Sequence, residues 1–146
     1  PEETNLKLRH LIDSLITKDT HLDSLWIIGH SLGGLIVSYF GEKWNNSFPL
    51  TVHSIAAPLK YMNKTKPTCN NMGKKEYIFG KSVKYIQWKT IFKEDGAYKH
   101  LGDDPQDVNI INGKSIVLPK TWNNRRLGHN LSIQWVVDQL KRIKPS

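Results

Sequence analysis

The chain is poor in cysteine. Cys69 is the single one in 146 residues, so no internal disulfide can form. That thiol lies in a polar stretch, far in sequence from the C-terminal histidine, which argues against a Cys-His nucleophile pair. No apolar run approaches the roughly 18 residues needed to cross a bilayer. Internal repeats and low-complexity tracts are also lacking. No signal-peptide pattern is present, and the chain starts on Pro1 rather than methionine, which reads as a processing boundary. Acidic side chains are in short supply, 13 against 21 Lys and Arg, for a net charge of +8. The positive residues are scattered, and no zinc-finger or RNP pattern accompanies them, so nucleic acid is not an expected partner. A solvated basic surface remains, with weak attraction to anionic membrane surfaces as the other reading. Apolar content of 38% in a chain of this length suits one domain with its own core.

Periodicity outlines an alternation of helices and strands. Residues 3–18 carry Leu8, Leu11, Ile12, Leu15 and Ile16 at helical spacing. The short apolar run 25–28 reads as a buried parallel strand. A helix is expected over 31–43 and strands over 50–56, 83–92 and 115–118. A last helix is expected over 131–143, with Ile133, Val136, Val137 and Leu140 on one face. Strands separated by helices or long crossovers imply an α/β fold with a parallel sheet. The stretches 93–112 and 120–128 read as loops. Three Asn-x-Ser/Thr triplets, at Asn45, Asn63 and Asn130, read as chance occurrences in an Asn-rich chain.

The most informative segment is Gly29-His30-Ser31-Leu32-Gly33-Gly34, placed between the strand at 25–28 and the following helix. G-x-S-x-G alone is a weak pattern, and a glycine-rich turn would also satisfy it. Strand, tight turn and helix in that order give it chemical meaning: the turn exposes the Ser31 hydroxyl, and the Leu32 N–H at the helix start can meet a developing oxyanion. Gly29 and Gly33 are expected to let strand and helix approach closely.

The segment resembles the nucleophile elbow of the α/β-hydrolases, in particular the lipase-like serine esterases. Ser54-Ile55-Ala56-Ala57-Pro58 resembles the next strand and its exit, and Leu127-Gly128-His129-Asn130 resembles the histidine loop. The resemblance runs along nearly the whole chain but matches only the second half of that fold. It implies a C-terminal part of a single α/β-hydrolase domain over 1–146, with the N-terminal strands and the second oxyanion donor expected elsewhere. It also offers 59–82 as the place of a lid or cap, where Met62, Met72, Tyr77, Ile78 and Phe79 would form an apolar underside; an ordinary surface excursion is the alternative reading of that stretch.

The resemblance implies the chain order serine, acid, histidine. Of six histidines, His10 and His21 precede Ser31, and His100 precedes the favoured acids. His30 is expected to pack or bond behind the serine, and His53 to be a satisfied histidine within a strand. His129 remains as the base. For the acid, Asp95, Asp103, Asp104 and Asp107 qualify, with Glu94 weaker. Asp107 heads Asp-Val-Asn-Ile, similar to the turn that carries the acid in many lipases, and is favoured over Asp104 and Asp95. The cluster Asp103, Asp104 and Asp107 also offers hard oxygen ligands of the kind calcium takes, though loop carboxylates are usually only solvated. The expected function is hydrolysis of carboxylic esters, small-molecule or lipid, through an acyl-enzyme on Ser31, with His129 and Asp107 as partners and no cofactor. Acyl transfer by the same residues, and a binding domain that keeps the fold without catalysis, are the alternatives.

Overall fold

The computed structural model describes residues 2–60 and 72–143. Helix α1 (Glu2–Lys18) leads to β1 (Leu25–His30), α2 (Leu32–Glu42) and β2 (Leu50–Ile55). Then come β3 (Glu76–Ile78), β4 (Val83–Lys89), a 3-10 turn (Phe92–Glu94), β5 (Asn109–Ile111) and β6 (Lys114–Val117). A short ribbon of β7 (Thr121–Trp122) and β8 (Arg125–Arg126) precedes α3 (Leu131–Arg142). The central sheet is parallel, in the order β1-β2-β4-β6. The α/β class and the parallel sheet expected from the periodicity are therefore present.

Alternation along the strands divides the core in two. Leu50 and Val52 of β2 and Val83 and Tyr85 of β4 face α1 and α2, where Ile12, Leu35, Val37 and Phe40 cover them. Ile55, Ile86 and Trp88 face the other way, onto Val136 and Leu140 of α3. The buried row of α1 is narrower than its apolar content suggests. Ile12 is buried, Leu8 and Ile16 pack beside it, and Leu11 and Leu15 are exposed. On a 3.6-residue helix the 8-12-16 row meets the sheet, and 11 and 15 fall on its solvent flank.

Several elements depart from the expectation. Strand β4 ends at Lys89 rather than at 92 because the backbone of Thr90 bonds to a side chain instead of to the next strand. Thr90 N–H donates to Gln106 Oε1 at 3.0 Å, and Gln106 Nε2 donates to Thr90 O at 3.2 Å. The stretch read as a loop before His129 contains the β7–β8 ribbon, turned by Asn123 and Asn124 with φ of 51° and 57°. Asparagine tolerates that left-handed conformation better than most residues. Of the lid or cap expected at 59–82, residues 61–71 lie outside the described residues. The flanking parts do not form an apolar underside. Tyr77 and Phe79 are core residues: Tyr77 donates to Leu59 O at 2.7 Å, and Phe79 stacks on Tyr85 at 3.9 Å. Strand β3, which carries Tyr77, pairs in parallel with β5 and so belongs to the body of the fold.

His53 lies on the α3 side of β2 and is buried. Trp88 Nε1–H donates to its Nδ1 at 3.1 Å. An indole N–H can only donate, so Nδ1 is unprotonated and the ring proton sits on Nε2. That nitrogen is buried and has no partner, contrary to the expectation of a fully satisfied histidine. Burial, aided by the Lys84 charge, pushes the His53 pKa from 6.5 down to about 4.

Candidate active site

The turn between β1 and α2 is built by two glycines. A Cβ on Gly29 would lie 2.3 Å from Gly33 O, and one on Gly34 would lie 2.7 Å from Ala57 Cβ and 3.1 Å from Gly29 O. Gly33 faces open space, so the close approach expected of Gly33 is made by Gly34 instead. Ser31 sits at the apex with φ 54° and ψ −123°. A non-glycine residue held there stores about 1–3 kcal/mol of strain. The conformation is pinned by Ser31 N–H donating to Ile55 O at 2.8 Å and by Leu35 N–H donating to Ser31 O at 3.3 Å. The serine side chain does not cap the helix. Leu32 opens α2, so its N–H has no partner within the helix and points along the positive end of the helix dipole.

The freed Ser31 hydroxyl meets His129. Ser31 Oγ lies 3.0 Å from His129 Nε2, and His129 Nδ1 lies 3.1 Å from Asp95 Oδ2. His129 arrives from the segment between β8 and α3. Gly128 lets that segment pass tight against the acid's turn, since a Cβ there would lie 2.9 Å from Glu94 O. The carbonyl of His129 accepts bonds from Ser132 Oγ at 2.5 Å and from His30 Nε2 at 2.8 Å. The His30 ring lies 4.8 Å from the His129 ring. His30 therefore ties the histidine segment to the end of β1. Tyr98 closes the other side, edge-on to His129 at 4.9 Å, with its hydroxyl donating to Ala56 O at 2.6 Å. Burial pushes the Tyr98 phenol well above its ordinary range, so it stays protonated.

The acid beside His129 is Asp95, and the expectation of Asp107 is corrected. Asp107 is exposed and lies 3.4 Å from Lys89 Nζ. The physical reason is local. Once β4 stops at Lys89, the 3-10 turn at Phe92–Glu94 returns the chain at once and sets Asp95 at the strand end, under the histidine. Asp107 comes just before β5, whose pairing with β3 carries it away from His129. Asp95 is fully buried. It accepts from Thr90 Oγ1 at 2.5 Å and from Ala97 N–H at 2.8 Å, besides His129. Burial opposes its charge, but the bonds from His129, Thr90 and Ala97 outweigh that and hold its pKa below the ordinary carboxylate value. Asp103 pairs with Lys60 at 2.5 Å, and Asp104 accepts from Gln106 N–H at 3.0 Å. The acids of this loop thus face separate partners, and among the described residues no three His, Cys, Asp or Glu side chains converge as metal ligands.

Comparisons with family models, with curated proteins and with solved structures return no match to this chain. The chemistry must therefore be read from the geometry. A strained serine, an imidazole within bonding reach and a buried carboxylate on the far ring nitrogen can together turn a hydroxyl into a nucleophile. They stand beyond the carboxyl ends of β1, β2 and β4, where ligands meet parallel sheets. A cavity of about 820 Å³ opens elsewhere, among the strand starts, lined by Trp44, Leu50, Thr51, Lys81, Val83 and Lys84. It holds no comparable set of reactive groups.

Thr90, Gln106 and Tyr98 were not singled out from the sequence as parts of this site. For the acid a signal did exist: Asp95 is the first aspartate after the β4 segment, and the shortest return from a parallel strand places it at the strand end.

Proposed function

We propose that the chain carries the catalytic residues of a serine hydrolase of the α/β-hydrolase type, acting on carboxylic esters of the lipid or acyl class. The observation that carries this reading is the continuous line of Ser31 Oγ, His129 Nε2, His129 Nδ1 and Asp95 Oδ2, with Ser31 strained at a strand-to-helix turn. The hydrolase type and the ester class rest further on the resemblance of residues 29–34 to lipase-like elbows and on the strand-turn-helix context around them.

In this mechanism Ser31 Oγ attacks the ester carbonyl while His129 Nε2 takes its proton. The Leu32 N–H binds the oxyanion, and a preorganised donor of that kind is worth about 10²–10³ in rate. Asp95 keeps the Nδ1–H tautomer and stabilises the imidazolium, whose proton then goes to the leaving alcohol. Water, activated by the same imidazole, attacks the acyl-Ser31 carbonyl and releases the carboxylic acid, and Ser31 recovers its proton.

A fluorophosphonate probe should label Ser31 covalently, and Ser31→Ala should lose both labelling and turnover of a chromogenic ester. The hydroxyl is half-buried and its removal leaves no core cavity, so stability should change little. Near wild-type turnover in Ser31→Ala would end the proposal.

A further inference from the structure

We infer that Thr90 is a positioning residue that sets how strongly Asp95 holds the protonated form of His129. The inference rests on the serine-hydrolase reading for its kinetic consequence, but its geometric basis stands apart from it. Asp95 Oδ2 is shared: it accepts the Thr90 hydroxyl at 2.5 Å and the His129 ring at 3.1 Å. The two donors compete for one oxygen, and the threonine makes the shorter bond.

The direction of the Thr90 hydroxyl follows from the amide of Gln106. Gln106 Nε2 lies 3.2 Å from both Thr90 O and Asp104 Oδ1, two atoms that can only accept, so that end is the NH₂. Gln106 Oε1 already accepts Thr90 N–H at 3.0 Å. It lies 3.1 Å from Thr90 Oγ1, a longer and weaker alternative for the hydroxyl proton than the carboxylate. The Gln106 amide thus grips the Thr90 backbone on both sides and leaves its hydroxyl aimed at Asp95. Thr90, Gln106 and Asp95 are all buried, at 2%, 0% and 0% exposure, so water does not substitute for any of these bonds.

Partial neutralisation of Asp95 by Thr90 weakens its pull on the imidazolium. Removal of the hydroxyl leaves Oδ2 to His129 alone, so the variant ring holds its proton to higher pH than the wild-type ring does. The other groups facing the His129 ring are Ser31, Tyr98 and His30. Tyr98 remains protonated throughout. His30 bonds to the His129 carbonyl and makes no bond to Thr90 or Asp95, so the substitution leaves its contact in place.

The test is the pH profile of kcat/KM for Thr90→Val, with Thr90→Ser as the conservative rescue. In Thr90→Val the acid limb should move up by about half to one pH unit. Activity should fall severalfold at the pH of the wild-type limb and recover to near wild type above it, with KM little changed. Thr90→Ser should restore the wild-type limb. A loss of equal size at every pH, or an unmoved limb, would overturn the inference by showing a purely structural residue. The low-field proton of His129 Nδ1–H gives a second reading that needs no turnover: it should move downfield in Thr90→Val and stay in place in Thr90→Ser. If the protein hydrolyses no ester, that resonance still decides the case for Thr90 while the hydrolase reading fails by itself. If Thr90→Val does not fold, the wild type should show a Thr90 hydroxyl proton protected from exchange and close to His129 Nδ1–H. Rapid exchange of that hydroxyl would overturn the inference as well.

Discussion

At the scale of single residues, the site depends on which carboxylate the β4 exit delivers. Asp95→Asn should lower kcat by about 10⁴, because the ring loses the acceptor that selects its tautomer. Asp107→Asn should stay within about twofold of wild type, since it gives up only an exposed pairing with Lys89, and such pairs contribute little. Steady-state kinetics on the two variants checks this, and the reverse ranking would refute the geometry. Ser31 and His129 were legible in the sequence because each sits against an apolar element whose period is clear. The acid was not. The segment 93–112 holds several acids, and the choice among them turns on where β4 stops. That stop is set by the amide of Gln106 acting on Thr90, a contact between distant residues that no local pattern reveals. The resemblance of Asp107 and its neighbours to a lipase turn pointed to an aspartate that the β3–β5 pairing holds away from the site.

At the scale of elements, the long helices and the four strands of the central sheet were readable from apolar period alone. β3, β5, β7 and β8 were not, since each is only two or three residues long and its pairing is what makes it a strand. The junction of β2 and β4 carries a pH-sensitive feature. His53 is neutral in the fold, with a pKa of about 4 against 6.5 when unfolded. The unfolded chain therefore binds the extra proton first. The stability contributed by neutral His53 is complete above pH 6.5 and is lost as the pH falls toward 4, a change on the order of 3 kcal/mol. Protonation would also place a hydrogen on Nδ1 and break the Trp88 bond. Asp95, whose folded pKa is depressed, loses its contribution only at lower pH. Urea unfolding at pH 7 and pH 4.5 should show the loss, and His53→Leu should flatten it, whatever its absolute stability. An equal slope in the variant would place the acid sensitivity elsewhere.

At the scale of the whole molecule, the sheet is covered unevenly. Among the described residues β1 is an edge strand, bonded to β2 alone, and Trp26 and Ile28 on its α3 side are 47% and 45% exposed. Parallel sheets are normally covered on both faces, and an open apolar edge invites association. The 146-residue chain should therefore self-associate in sedimentation experiments at micromolar concentration. Replacing Trp26 and Ile28 together with lysine should shift it toward monomer, because a charged edge strand resists pairing. A monomeric wild-type chain would contradict this.

The edge position of β1 has a further consequence for the timing of local opening. The acid follows β4, which is flanked on both sides, and the histidine precedes α3, which is packed on the sheet. The serine alone ends a strand secured along one side. Opening of β1 from β2 would carry Ser31 away from His129 while base and acid stay together. The bond between His30 and the His129 carbonyl, together with that from Ser31 N–H to Ile55 O, is what latches this unit shut. Fraying of this one edge strand would therefore separate Ser31 from His129 before the core melts.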